Sequence, residues 1–140
     1  MPGFVIDASA TLPWRFEDEA TSWTESLLDR VQGGEEVRVP AHWPLEVANT
    51  LLMARRGGRI TAIQVNEFIN DLAALPIRIE PPSEPAQWPT ILALAEAHRL
   101  TAYDAAYLEL ALRTALPLAT LDGDLHKAAR AEGAPLIEEA

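Results

Sequence analysis

The chain has 140 residues, of which 49% are hydrophobic and none is cysteine. That length fits one compact domain, residues 1–140, and the lack of cysteine excludes disulfides, thiolate metal sites and a cysteine nucleophile. Eleven Lys and Arg residues against 21 Asp and Glu residues give a net charge of −10, the wrong sign for a generic nucleic-acid binder.

Predicted strands and helices alternate along the chain. Strand 4–6 is followed by helix 20–31, strand 37–39 and a helix that begins near residue 44 and ends before Gly57 and Gly58. Helix 61–75, strand 77–79 and helix 88–98 come next, and helix 101–114, strand 117–120, helix 124–131 and an edge strand at 136–137 complete the series. The helical spacing predicts two buried faces, which consist of Val47, Ala48, Leu51 and Leu52, and of Ile63, Phe68, Leu72 and Leu75.

This alternation predicts an α/β fold, with a central parallel sheet of four or five short strands and about seven flanking helices. The connections are long enough to hold whole helices, as parallel strands require. In open parallel sheets, ligands bind beyond the carboxyl ends of the strands, and Asp7 and Asp122 each follow a strand on that side. We therefore expect a ligand site at this edge of the sheet.

Four acidic residues fall at strand ends or helix starts: Asp7, Glu46, Asp104 and Asp122. Each has a structural explanation by itself, as a turn residue, a helix cap or an acid that complements a helix dipole. Asp104, for instance, completes a capping box that starts at Thr101. Gathered at one rim, however, the four anions would repel one another unless a cation lay between them, and their oxygens favour Mg²⁺ or Mn²⁺.

Other chemistries leave little trace in the sequence. The glycines form neither a Walker loop nor a dinucleotide-binding fingerprint. The histidines, His42, His98 and His126, lack zinc-ligand spacing, and Ser9 lacks the context of a nucleophile elbow. No apolar leader opens the chain and no apolar stretch reaches the ~20 residues of a membrane span, so we expect a soluble cytoplasmic protein.

Four segments resemble the motifs of PIN domains of the VapC toxin type: VIDAS at 5–9, LEVAN at 45–49, TAYDAAYL at 101–108 and ATLDGD at 119–124. The resemblance follows the family's order over nearly the whole chain. It implies a single PIN domain that acts as an endoribonuclease with Mg²⁺ as cofactor and Mn²⁺ as a substitute. Hydrolysis with one or two ions would proceed without a covalent intermediate and leave a 5′-phosphate and a 3′-hydroxyl.

The resemblance also implies roles for single residues. It makes catalytic metal ligands of Asp7, Glu46, Asp104 and Asp122. It places Asp124 where family members often have a further acid, although a solvated acid at a helix start is an equally good interpretation. Ser9 and Thr120 resemble the small hydroxyl residues that hold water or the carboxylates in place.

Substrate contacts are predicted from the basic and aromatic residues. Arg55, Arg56 and Arg59 form the only basic cluster, and either hold the RNA backbone or form a solvated helix end that complements the helix dipole. Trp14 and Trp43 lie near the acid rim in sequence, where they could stack on a base. Large aromatic residues beside apolar neighbours are more often part of a core, which is the interpretation we favour.

The resemblance further implies partners. These are a structured RNA such as tRNA or rRNA, a second copy of the chain in a homodimer, and a cognate antitoxin whose basic tail lies in the acid crevice. The helix from Thr61 is the expected contact for the second copy or the antitoxin. Two alternatives stay open, a catalytically silent PIN-like module that binds RNA or protein, and a PIN nuclease of RNA processing outside any toxin–antitoxin pair.

Overall fold

A parallel sheet forms the centre of the protein. The computed structural model describes residues 3–139, and its strands are β1 (Phe4–Ile6), β2 (Val37–Val39), β3 (Ile77–Ile79) and β4 (Leu118–Ala119). They hydrogen-bond in the order β3-β2-β1-β4, and every pairing is parallel. The α/β prediction with its four-stranded parallel sheet is confirmed. The edge strand predicted at 136–137 is reduced to a single bridge between Leu118 and Leu136.

Helices fill the connections between the strands. In residues 3–139 there are seven α-helices: α1 (Ala8–Thr11), α2 (Ser22–Gln32), α3 (Trp43–Arg56), α4 (Ala62–Ala73), α5 (Trp88–His98), α6 (Ala102–Thr114) and α7 (Gly123–Ala131). Helix α1 and the 3₁₀ turns at Leu12–Trp14 and Glu17–Glu19 were not predicted, because such short segments show no periodicity. Within the described range, no helix combines the length and the hydropathy that crossing a bilayer requires.

Threonine side chains cap the starts of three helices, α2, α4 and α6. The hydroxyl groups of Thr21, Thr61 and Thr101 each accept a hydrogen bond from the backbone N–H three residues later. Thr21 and Thr61 form full capping boxes, in which a side chain of the first turn returns the bond to the cap residue. The cap at Thr21 places the start of α2 two residues after the predicted start.

The core lies on both faces of the sheet, as is usual when helices cover a parallel sheet. All three residues of β1 have no exposed surface, and α6 contributes Tyr107, Leu108 and Ala111 with none either. Helix α3 buries four residues at helical spacing, Trp43, Val47, Leu51 and Ala54.

Three residues predicted to be buried are exposed instead, namely Ala48, Leu52 and Ile63. Of the face predicted for helix 61–75, Phe68 is buried, whereas Leu72 and Leu75 are half-buried. Periodicity indicates the apolar side of a helix, but the width of the buried stripe depends on how far the neighbouring element covers it. Helices α3 and α4 contact each other along one side, and their outer apolar residues remain in solvent.

Candidate active site

The carboxyl ends of β1 and β4 bring together residues that are distant in sequence. The two strands pair through Val5 with Leu118 and Ile6 with Ala119, so the residues that follow, Asp7 and Thr120, become neighbours. Asp7 is the N-cap of α1, and Asp122, two residues after Thr120, is the N-cap of α7. Asp122 therefore has the cap role considered for it from the sequence, whereas Asp7 caps a helix where only a strand-ending turn was expected. Both lie at the same edge of the sheet.

Asp7 is a buried carboxylate that is held by neutral donors. It is 4% exposed, its Oδ1 accepts hydrogen bonds from the Ser9 hydroxyl at 2.7 Å and the Ala10 N–H at 3.1 Å, and its Oδ2 accepts one from the Thr120 hydroxyl at 2.5 Å. Burial raises the pKa of Asp7 from the ordinary 3.8 to about 6, although the hydrogen bonds from Thr120, Ser9 and Ala10 act in the opposite direction. The nearby charge of Asp104 adds to the increase.

The hydroxyl groups of Ser9 and Thr120 connect Asp7 to the loop that carries Asp122. Thr120 donates to Asp7 and accepts from the Asp122 N–H at 3.0 Å. Ser9 donates to Asp7 and accepts from the Leu121 N–H at 2.9 Å. Each hydroxyl thus contacts a carboxylate and a backbone segment at once.

Asp104 and Glu46 extend the acid cluster from the sheet edge to the helices. Asp104 lies in the first turn of α6, where its N–H donates to the Thr101 hydroxyl at 3.1 Å. The predicted Thr101 cap is present, but it is not the full capping box that Thr21 and Thr61 form. Burial raises the pKa of Asp104, and the neighbouring charges of Asp122 and Glu46 raise it further. Asp104 therefore lies within electrostatic reach of Asp7, Glu46 and Asp122.

Glu46 is held by a tyrosine that was not singled out from the sequence. The hydroxyl of Tyr107 donates to Oε1 of Glu46 at 2.5 Å, and Nε2 of His42 lies 3.5 Å from the same oxygen. Tyr107 follows Asp104 by three residues on α6, so both side chains belong to one face of that helix. The spacing inside the TAYDAAYL segment was visible in the sequence, but the contact with α3 was not.

The donor set fits a divalent cation, although the side chains do not form a ready-made cage. In residues 3–139 no three His, Asp or Glu side chains stand close enough together to hold one metal ion. Asp7, Glu46 and Asp122 each accept a hydrogen bond from a neighbouring group of the protein. No Lys or Arg within the described residues pairs with Asp7, Glu46, Asp104 or Asp122, so their charge is left for a cation to balance.

The remaining predicted residues are spread around this cluster. Asp124 is exposed in the first turn of α7. Arg55 and Arg56 are exposed in the last turn of α3, whose first turn carries Glu46. Arg59 is engaged elsewhere, because Nη2 of Arg59 lies 3.1 Å from Asp18 and 3.0 Å from Glu19.

The two tryptophans considered for base stacking belong to the interior. Trp43 is buried and donates to the Thr11 hydroxyl at 3.2 Å. Trp14 is half-buried and donates to the Thr24 carbonyl at 2.9 Å. Both indoles pack against the core and have their N–H groups satisfied, as the favoured interpretation expected.

A second group of charged residues lies at the carboxyl ends of β2 and β3, and we call it the Arg–Glu cluster. It consists of Arg38, Arg78, Glu80, Glu109 and Arg113. Glu80 follows β3, is 8% exposed, and lies 2.9 Å from Arg38, 3.4 Å from Arg78 and 3.9 Å from Arg113. Glu109 is 7% exposed and lies 2.8 Å from Arg113. None of these residues was singled out from the sequence.

Comparison with known proteins identifies the fold. A family model described as "PIN domain" matches residues 4–131. A crystal structure of PAE2754 from Pyrobaculum aerophilum is 20% identical with a TM-score of 0.69, and the match covers 91% of this chain and 84% of that one. A crystal structure of FitAcB from Neisseria gonorrhoeae is 16% identical with a TM-score of 0.65 and coverage of 96% of both chains. At these identities the likeness concerns the fold alone, and the comparison with curated proteins found no match.

Proposed function

The chain belongs to the PIN domain family, and from this premise we propose that residues 1–140 form a single-domain, metal-dependent endoribonuclease of the VapC toxin type. PIN domains are generally nucleases, which supports hydrolysis of a phosphodiester bond. The observation that carries the proposal is the state of Asp7. It is a buried carboxylate with a raised pKa, with neutral hydrogen-bond donors and with another acid, Asp104, near it. Such a group is stabilised when a cation binds beside it.

The chain's own residues have separable tasks in this proposal. Asp7, Glu46, Asp104 and Asp122 would hold Mg²⁺ or Mn²⁺, and Asp124 is near enough in sequence to add a further oxygen. Ser9 and Thr120 keep Asp7 and the loop of Asp122 in place. A divalent cation, when bound, supplies neutralisation of the phosphate charge and activation of water.

Contacts with the substrate are proposed for the far end of α3. Arg55 and Arg56 lie nine and ten residues after Glu46, which corresponds to about 14 Å along the helix axis. Their exposure and position support a contact with RNA phosphates on one side of the acid cluster. Arg59 is the weaker candidate, since a phosphate would have to displace Asp18 and Glu19.

A basic antitoxin is proposed as the protein partner, and a homodimer as the assembly. The net charge of −10 favours a cationic partner. A groove of about 470 Å³ between α3, α4 and β3 offers apolar contacts, and Ile69 and Ile79 on its wall are about half exposed. We place this activity in the cytoplasm, where tRNA and rRNA would be its substrates.

The test is cleavage of RNA by the purified protein. We expect cutting of a tRNA and rRNA mixture with Mg²⁺ or Mn²⁺, loss on EDTA treatment, recovery when metal is returned, and 5′-phosphate ends on the products. Asp104→Asn should abolish cutting, whereas the matched variant Asp71→Asn, which removes an exposed acid of α4, should cut like the wild type. RNA binding with no cleavage in the presence of either Mg²⁺ or Mn²⁺ would favour the catalytically silent binding module instead.

A further inference from the structure

Tyr107 has an unusual position for a tyrosine at the edge of a polar site. Its side chain has no exposed surface, and its ring is contacted edge-on by the ring of His42, with centroids 5.1 Å apart and planes at 75°. Its hydroxyl nevertheless reaches Oε1 of Glu46 at 2.5 Å. The fully packed ring fixes the hydroxyl, so the tyrosine can act as a rigid anchor for the more exposed glutamate.

The direction of this hydrogen bond is fixed by the chemistry of Tyr107. A phenol hydroxyl carries the proton and an ionised carboxylate oxygen can only accept it, so Tyr107 donates and Oε1 of Glu46 accepts.

The bond leaves Glu46 with one oxygen for other ligands. Its Oε1 faces the hydroxyl of Tyr107 and, at 3.5 Å, Nε2 of His42. Within residues 3–139 no hydrogen bond reaches Oε2. Asp122 is similar, because its Oδ1 accepts from the Leu125 N–H at 2.9 Å. Carboxylates with one oxygen engaged favour binding a cation through a single atom.

Binding through single oxygens distinguishes between divalent cations. Ca²⁺ takes six to eight oxygen ligands and often uses both oxygens of a carboxylate, whereas Mg²⁺ requires octahedral geometry, keeps several waters and uses few carboxylate atoms. A glutamate held in a one-oxygen orientation therefore favours Mg²⁺, and a glutamate free to turn would accept Ca²⁺ more readily.

We propose that Tyr107 is a positioning residue, which holds Glu46 as a one-oxygen ligand and so sets the preference of the acid cluster for Mg²⁺ over Ca²⁺. This inference rests on the proposed function, because it requires the acid cluster to bind a divalent cation. The discrimination between Mg²⁺ and Ca²⁺ then depends on the hydrogen bond from Tyr107 of α6 to Glu46 of α3, and not on the acids alone.

The test compares metal binding to the wild type, Tyr107→Phe and Tyr103→Phe by calorimetric titration with MgCl₂ and CaCl₂ in the absence of RNA. Tyr103 is a matched control, because it lies one turn earlier on α6, also contacts the His42 ring, and is exposed. We expect Tyr107→Phe to lower the ratio of the Ca²⁺ to the Mg²⁺ dissociation constant by about tenfold. Mutation of a residue that hydrogen-bonds a metal ligand typically changes metal affinity on this scale. Tyr103→Phe should leave the ratio unchanged.

The outcomes separate this inference from the proposed function. An unchanged ratio in Tyr107→Phe overturns the inference, and so does an equal weakening of both ions, which would indicate only structural damage. In either case the wild type could still bind metal and cut RNA, and the proposed function would stand. A wild type that binds neither ion overturns both.

A second measurement does not depend on the folding of Tyr107→Phe. The chain has two tyrosines, so Tyr103→Phe leaves Tyr107 as the only one. Ultraviolet resonance Raman spectra of this variant should show the signature of a strong hydroxyl donor both in EDTA and in saturating MgCl₂. A signature of a weak donor or an acceptor in MgCl₂ would mean that Glu46 leaves the tyrosine when metal binds, and the proposal would be wrong.

Discussion

Two clusters of carboxylates, each with at least one buried member, lie along the same edge of the sheet, and their charge is balanced in opposite ways. At the ends of β2 and β3, Glu80 and Glu109 are surrounded by arginines at ion-pair distance. At the ends of β1 and β4, Asp7 is equally buried but has hydroxyl and N–H donors around it. Burial of an acid is therefore not what marks the candidate site. What marks it is that the charge is left without a cationic side chain.

The same conservative substitution should therefore have opposite consequences in the two clusters. Changing Asp7 to asparagine removes a charge that burial and its neighbours disfavour. Changing Glu80 to glutamine removes a charge that stabilises Arg38 and leaves that guanidinium without its partner.

The largest expected effect is on catalysis in the acid cluster. Asp7→Asn should lower the rate of RNA cleavage by at least about a hundredfold, the scale on which loss of a charge-stabilising group acts, while the protein remains folded. Single-turnover cleavage assays and circular dichroism on the same sample would measure both. Glu109→Gln, in the Arg–Glu cluster, is the control variant. Its cleavage rate per folded molecule should equal that of the wild type. Loss of cutting in both variants would contradict the division of roles.

The next effect is on stability in the Arg–Glu cluster. Glu80→Gln should lower the free energy of unfolding by about 3 kcal/mol, because it leaves a partly buried guanidinium without its partner. Urea denaturation would measure the change. Glu36→Gln removes an exposed glutamate near the start of β2 and should stay within about 0.5 kcal/mol of the wild type. Equal stability of Glu80→Gln and Glu36→Gln would show that the cluster contributes nothing to folding.

A third effect is the pH dependence of stability without metal. Folding raises the pKa of Asp7 from 3.8 to about 6. The contribution of Asp7 to the free energy of unfolding is therefore fully favourable below pH 3.8 and is lost as the pH rises through about 6. The loss amounts to about 3 kcal/mol at neutral pH, so in EDTA the gain in stability from Asp7→Asn should grow between pH 4 and 6 and then level off. Saturating Mg²⁺ should abolish or reverse the gain, since the cation stabilises only the wild type. A difference that is independent of pH would contradict this account of Asp7.

These contrasts also explain which parts were predictable from the sequence. Strands 4–6, 37–39 and 77–79 were predicted with their observed bounds, because short β-branched runs between breakers are local features. Helix α1 was missed because four residues are too short to show a helical period. The four acids could be identified as candidate site residues from their sequence motifs. The hydrogen bond from Tyr107 to Glu46 could not, because it depends on how α6 packs against α3. Glu80 was missed for the same reason, since Arg38 and Arg113 come from other elements. Glu109 and Arg113 stand four residues apart on α6, so their pairing is local, but their burial beside Glu80 is not.

The smallest expected effect is on RNA binding by the arginines near the end of α3, some of which pair with an acid and some of which do not. Arg59 is paired with Asp18 and Glu19, whereas no acid lies within ion-pair distance of Arg55 or Arg56 in residues 3–139. If the free arginines contact phosphate, Arg56→Gln should weaken RNA binding a fewfold and reduce the salt dependence of binding by about one unit of slope. Binding is best measured by fluorescence anisotropy in the Asp7→Asn background, which prevents cleavage. Arg59→Gln should change the slope less, because its charge is already neutralised, and a larger effect at Arg59 than at Arg56 would place the RNA on the side of Asp18 instead.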